Sequence, residues 1–254
     1  MILSTPGSLW DIYRSRLSAA TFTDLTHAFH PGQPHFPAFP DEERRALLDF
    51  SKGDAFQVHH YAFVGQWGTH VDPPVHFIDG GRSIDQLSVA EMLLPLVILD
   101  ISDRVAADPD ATPTLDDISA WETRNGRIPE KCFVALRTGW WPRWPDPVAF
   151  QNKSADGISH APGWSKPVLE ELLERRGVAA IGHEGMDTDP GRATSAGDAS
   201  LEYYVLSRDC WQIELLANLD KVPDAGALIM ASWPKPKAGS GFPARAVAIH
   251  EAAG

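Results

Sequence analysis

Between Gln66 and His76 the chain reads Gln-Trp-Gly-Thr-His-Val-Asp-Pro-Pro-Val-His, which puts two imidazoles and a carboxylate close together. In an extended segment, side chains at i and i+2 share a face, so His70 and Asp72 project together, four residues after Gln66. Pro73 biases Asp72 away from the helical region. The Pro73–Pro74 pair is expected to hold the chain extended up to His76. Gly68 would let the backbone pass close to a bound group. An imidazole and a carboxylate, rigidly co-directed, suit a borderline-hard divalent ion such as Zn²⁺ or Mn²⁺. His76 is placed to move protons beside that ion, and Trp67, pinned inside the run, is a candidate for lining the site. One histidine alone is more often a hydrogen-bonded structural group. The grouping of three such residues is what points to a metal.

The elements that must carry these residues alternate between short β-rich runs and helical ones. Leu96–Ile101 and Cys132–Leu136 are continuous apolar runs of strand length, and Val178–Ile181, Trp211–Leu215, Ala227–Ser232 and Ala246–His250 read similarly. Leu169, Leu172 and Leu173 among charged residues have helical spacing, opened by Ser165 and Pro167 and ended by Gly177. Thr114–Arg124 and Leu201–Arg208 are two further helix candidates. The mixture says α/β or α+β. Gly139 to Gly163 is long and irregular, with Trp140, Trp141, Trp144 and three prolines. Long loops in compact domains are usually functional or disordered. This one is expected to line the pocket, to dock on another subunit, or to be stapled to the surface by its own aromatics. His160 is a weaker pocket candidate.

Other clusters carry less. His59 and His60 are adjacent, so on a strand they point to opposite faces and cannot chelate together. Asp187-Thr188-Asp189-Pro190-Gly191 reads as a capped turn more readily than as a cation site. The chain has no G-x-S-x-G elbow, no Gly-rich phosphate loop and no C-x-x-C pair. The serine-hydrolase, nucleotide-dependent and thiol-redox readings therefore lack their defining residues.

Composition bounds the rest. A chain of 254 residues, 43% of them hydrophobic, can bury a substantial core as one domain spanning 1–254. A formal net charge of −12 without a Lys/Arg cluster argues against nucleic acid as a partner. Cys132 sits in a core-like strand and only Cys210 could partner it, so reduced thiols in a cytoplasm are expected. Met1 to Leu17 carries Asp11, Arg14 and Arg16 and does not read as a signal peptide. No segment approaches the ~20 apolar residues of a membrane span.

The 66–76 run resembles H-x-G-T-H-x-D-x-P-x-H, the signature of the metal-dependent cyclase-like hydrolases that include bacterial kynurenine formamidase and isatin hydrolase. Weaker likenesses extend from Asp24 to Ile249: Asp24-Leu25-Thr26-His27, Pro34-His35-Phe36-Pro37, Arg137-Thr138-Gly139-Trp140, Pro162-Gly163-Trp164, and Glu214 through Asn218 to Arg245. The resemblance implies a central mixed β-barrel-like sheet with flanking helices, after an N-terminal helical extension over 1–23. It also implies a homodimer or homotetramer. Carried over, the first metal site is Gln66, His70, Asp72 and Glu214. The second is Asp72, Glu202 and Glu214, an all-carboxylate set favouring Mn²⁺ or Mg²⁺ over Zn²⁺. Gln66 and Glu202 stand where the family has histidines, so one ion is as much an expectation as two. Phe36 takes the place of a family aromatic that contacts the substrate ring. The expected activity is metal-dependent hydrolysis of a small amide, cyclic amide or lactone, with His76 as general acid/base. A cyclase or dehydratase, and a non-catalytic small-molecule binder, remain the alternatives.

Overall fold

The computed structural model describes residues 7–252. Eleven strands follow in chain order: β1 (Thr21–Asp24), β2 (Glu43–Leu48), β3 (Val58–Ala62), β4 (His70–Asp72), β5 (Leu93–Asp100), β6 (Phe133–Arg137), β7 (Ala180–His183), β8 (Trp211–Glu214), β9 (Ala227–Ser232), β10 (Phe242–Pro243) and β11 (Arg245–His250). Nine of them form one sheet in the order β1-β11-β9-β5-β6-β7-β8-β4-β10, while β2 and β3 pair as a separate ribbon. The run β5-β6-β7-β8 is parallel, and the remaining pairs are antiparallel.

Parallel neighbours need crossovers. They are supplied by the helices Leu115–Asn125, Lys166–Glu170 (continued by a wider turn over Glu171–Arg175) and Ser200–Ser207. The expected strands and helices hold to within two residues, except that β5 begins three residues early, at Leu93. Thr114 and Asp117 form a reciprocal cap at the start of the first crossover helix. Of the extension expected over 1–23, residues 1–6 lie outside the described residues. The rest holds helix Leu9–Ser15, a tight turn at Leu17–Ala19 and the start of β1.

The sheet curls into a half-barrel, and the chain itself shows the closure. β10, at one edge, is separated by Ala244 alone from β11, which lies next to the other edge. Thr26, just past β1, bridges Leu216, just past β8, and Ala244 N donates to Thr69 O. Alternation divides the core accordingly. Val97, Leu99, Val134 and Ile181 pack under the crossover helices against Ile118, Trp121, Leu169 and Val205. Leu96, Ile98, Ala135, Ala180, Ala231 and Ala246 pack against one another on the opposite face. Small alanines there let a concave face close on itself. Each large buried aliphatic side chain contributes ~1.5–3 kcal/mol.

The Trp/Pro-rich segment is ordered by its own aromatics. Trp140 and Trp144 are buried, and the Trp144 ring stacks on His27 at 4.2 Å. A turn at Trp141–Arg143 and a helix at Pro147–Gln151, capped by Asp146, interrupt the stretch expected to be irregular. Its entry is held by Glu184, whose Oε2 accepts from Thr138 N, Thr138 Oγ1 and Trp140 N. His160 is likewise structural, its two ring nitrogens bonded to Asp110 and Ser154.

Candidate metal centre

Two antiparallel strands build the site. In β4, His70 and Asp72 share a face by the i, i+2 rule, and in β8 so do Gln212 and Glu214. The register sets His70 opposite Glu214 and Asp72 opposite Gln212. Cross-strand pairs on one face stand about 5 Å apart, so four polar side chains converge. His70, Asp72 and Glu214 each offer a ligand atom, and these atoms lie within 4.8 Å of one another. The His70 Nε2 to Asp72 Oδ2 distance is 3.2 Å, and that to Glu214 Oε2 is 3.6 Å. All three residues are buried.

Hydrogen bonds prepare them as ligands. His70 Nδ1 lies 2.8 Å from Gly68 O, an acceptor, so a proton sits on Nδ1 and Nε2 is the atom that faces the carboxylates, where it can give its lone pair to a cation. His70 Nε2 and Asp72 Oδ2 are buried and lack any hydrogen-bond partner. Two facing orphans of this kind, with Glu214 beside them, fit a divalent cation. Burial, then the charges of Glu202 and Asp72, push the Glu214 carboxyl well above its ordinary range. Glu202 is raised in the same way. Burial also opposes ionisation of Asp72, but when no ion is bound the positive charge of a protonated His70, then His76 and the Gln66 amide, outweigh it and hold Asp72 at about 2. The crowded carboxylates are a strain that a cation would relieve.

The outer residues are as specific. Gln66 stands beside the trio. Its Nε2 donates to Asp72 Oδ1 at 3.2 Å and to Ser240 O at 2.9 Å, so the nitrogen end, which cannot ligate, is the end facing the site. A Cβ on Gly241 would collide with that same amide nitrogen. Glu202 also lies outside the compact trio. Gln212 Nε2 donates to Glu202 Oε1 at 3.0 Å and to Glu214 Oε1 at 3.1 Å, while Gln212 Oε1 accepts from Thr188 Oγ1. Behind Glu214, Trp164 Nε1 donates to His183 Nδ1 at 3.3 Å, leaving His183 Nε2 3.4 Å from Glu214 Oε1. Burial holds His183 down at about 3, so it is neutral.

His76 comes back to the site by a route other than the expected one. Pro73 is extended, but Pro74–His76 is a 3-10 turn closed by His76 N to Pro73 O, because proline's fixed φ suits the first position of a helical turn. The turn brings His76 Nδ1 to 3.4 Å from Gln66 Nε2 and His76 Nε2 to 3.8 Å from Glu202 Oε1. The Gln66 amide thus reaches Asp72, Ser240 and the His76 ring together.

A cavity of about 340 Å³ opens over these groups, lined on its apolar side by Phe36, Phe39, Phe77, Met186 and Leu215. Phe36 lines it as expected. Trp67 does not: it is fully buried, donates to Glu42 Oε2 at 3.1 Å, and packs its ring 5.0 Å from that of His35. Being pinned by its neighbours fixed its place but not its direction. Gly68 adopts φ +63 and makes room for Phe29 rather than for a ligand. In the 187–191 turn, Asp189 caps the helix Ser200–Ser207 through Leu201 N and Glu202 N. Asp187 instead lines the cavity, its carboxyl raised to about 7 by burial and then by Asp189, with Asp72 adding and His70 opposing.

The family model described as "Putative cyclase" (Cyclase) matches residues 23–190, well over half of the chain. The chain belongs to this cyclase family. It is 34% identical over 239 residues to isatin hydrolase of Roseibium aggregatum, covering 89% of this chain and 90% of that protein. Isatin hydrolase A from Labrenzia aggregata, solved with benzyl benzoate, superimposes with a TM-score of 0.88 at 30% identity over 96% of this chain and 100% of that one. An isatin hydrolase bound to the product analogue thioisatinate gives 0.87 at 30% identity, covering 96% and 97%. The fold is shared more widely: a structure described as a "potential metal-dependent hydrolase with cyclase activity" reaches 0.66 at 17% identity, covering 92% and 100%. The protein is thus an isatin hydrolase homologue, and the half-barrel is the architecture of its family.

Proposed function

We propose that this protein is a metal-dependent hydrolase of a small cyclic amide, with one divalent ion held by His70, Asp72 and Glu214. The observation that carries this reading is the buried trio with the His76 imidazole beside it in a ring-sized cavity. A divalent ion bound there supplies Lewis acidity, polarising a carbonyl oxygen and acidifying water toward a pKa of ~7. One imidazole nitrogen with carboxylate oxygens suits Mn²⁺ or Zn²⁺. Gln66 and Gln212 hold Asp72, Glu202 and Glu214 in place, and neutral His183 packs behind Glu214. Glu202 lies outside the compact trio and already accepts from Gln212 at one oxygen, which supports one ion per chain.

His76 takes the proton from the attacking water at a ring nitrogen and returns one to the leaving nitrogen, with Gln66 at 3.4 Å and Glu202 at 3.8 Å orienting the ring. The apolar wall at Phe36, Phe39 and Phe77 holds an aromatic ring and excludes water from it. His76→Ala should keep its metal and lose turnover by ~10²–10⁴-fold. Full turnover in that variant would refute the proton-transfer role. Product mass separates hydrolysis, which adds water, from cyclisation or dehydration.

The same reading places the protein in a reducing cytoplasm, supported by two free, buried cysteines. It also takes the protein as a homodimer or homotetramer. Exposed Leu9, Trp10, Phe50, Phe56 and Tyr61, on the helix Leu9–Ser15 and around the β2–β3 ribbon, support that assembly.

A further inference from the structure

Most polar side chains lining the cavity already have protein partners. The metal trio, Gln66 and Glu202 are bonded as described above. His35 and Thr194 bond backbone carbonyls, and Asp198 accepts from Ser200 N. His76 is used in proton transfer. Asp187 alone has neither a hydrogen-bond nor an ion-pair partner among the described residues, though it lies on the wall shared by the 340 Å³ cavity and an adjoining space of about 270 Å³. An unpartnered carboxyl in a partly dehydrated wall is costly unless a ligand completes it. Its neighbours on that wall, Phe36 and Met186, provide apolar contact with no donor of their own.

We infer that Asp187 is the polar anchor of the substrate, accepting a hydrogen bond from a ring N–H and so selecting lactams that carry that hydrogen. The inference rests on the hydrolase reading and names its substrate class more narrowly. A carboxyl group keeps one oxygen able to accept whether or not it is ionised. Of the site's groups, His70 points its only proton at Gly68 O, and Asp72 and Glu214 are taken up by the ion. His76 is assigned to proton transfer and Glu202 already accepts from Gln212, which leaves Asp187 as the lining carboxyl with no partner of its own.

The test compares isatin, an N–H lactam, with N-methylisatin, in metal-loaded wild type, Asp187→Asn and Asp187→Leu. Leu keeps the bulk of Asp and removes the acceptor, while Asn keeps an acceptor oxygen. Wild type should prefer the N–H compound by ~10- to 100-fold in kcat/KM, the range for a hydrogen bond to a charged or buried group. Asp187→Asn should keep most of that preference. Asp187→Leu should bring the ratio near one by losing the N–H compound, with metal content and melting temperature unchanged. A wild type indifferent to N-methylation, or an Asp187→Leu variant with the wild-type ratio, overturns the anchor. If neither compound is turned over, the hydrolase reading fails. The ratio of binding affinities by calorimetry then decides the anchor alone, equal affinities in wild type overturning it.

Discussion

His70 and Asp72 work as a pair because each is satisfied on one side only. Gly68 O fixes the His70 proton and Gln66 fixes one Asp72 oxygen, while the remaining nitrogen and oxygen face each other without partners. Away from the site, His27 shows what burial does to an imidazole with no such role. It is stacked on Trp144, its Nε2 is orphaned, and burial, partly opposed by Asp24, lowers it from 6.5 to about 4. The sign follows from linkage. Between pH 6.5 and 4 the unfolded chain binds this proton and the folded one does not, so stability falls as pH falls through that window. One unit corresponds to ~1.4 kcal/mol, so His27 should remove a few kcal/mol by pH 4. Urea titrations followed by tryptophan fluorescence should show a flatter pH profile for His27→Gln than for wild type. Parallel profiles would contradict the account. The His70–Asp72 pairing was legible from spacing, whereas the turn that brings His76 beside it was not. Gln212 was overlooked, although the i, i+2 rule that pairs His70 with Asp72 pairs it with Glu214. His183 had a weaker signal, a polar residue at the C-terminal end of a parallel strand, where ligands of α/β sheets gather.

At the scale of elements, the β4–β8 register is the decisive feature, since a slip of one residue would turn Glu214 away from His70. Thr69 secures it. Its hydroxyl donates to Leu215 O at 2.6 Å and accepts from His27 N at 2.9 Å, joining β4, the end of β8 and the segment after β1. Leu215 is held there at φ 57, a left-handed conformation unusual for leucine. Thr69→Val keeps the shape and strands both partners, so it should cost ~3 kcal/mol in urea unfolding. It should also weaken metal binding by loosening Glu214. A loss below ~0.5 kcal/mol, with normal metal affinity, would show that the register is held elsewhere. The apolar strands β5 to β9 and the crossover helices were readable because burial on both faces leaves continuous apolar runs. The ribbon β2–β3 was not, since Glu43-Arg44-Arg45 and His59-His60 carry neither an apolar run nor a tight-turn signal. Nor was the 3-10 turn at Pro74–His76, because two prolines suit an extended chain and a helical start equally.

For the whole molecule, curling brings together segments far apart in sequence: the 66–76 run, the 187–202 segment and the end of β8 all meet at one cavity. Spacing could propose the two halves of the site but not their meeting, which depends on sheet order. A catalytic divalent ion is proposed to sit at this meeting point. Bound metal should raise the melting temperature, since 100-fold saturation is worth ~2.7 kcal/mol, or several degrees in a chain of this size. The most direct measurement is metal content by mass spectrometry on tag-free protein, with isatin turnover before and after chelation and in Asp72→Ala. The account predicts about one Mn or Zn per chain, turnover abolished by chelation and restored by the ion, and an empty, inactive Asp72→Ala. Protein that carries no metal and takes none up, or Asp72→Ala that retains a full equivalent, would contradict it.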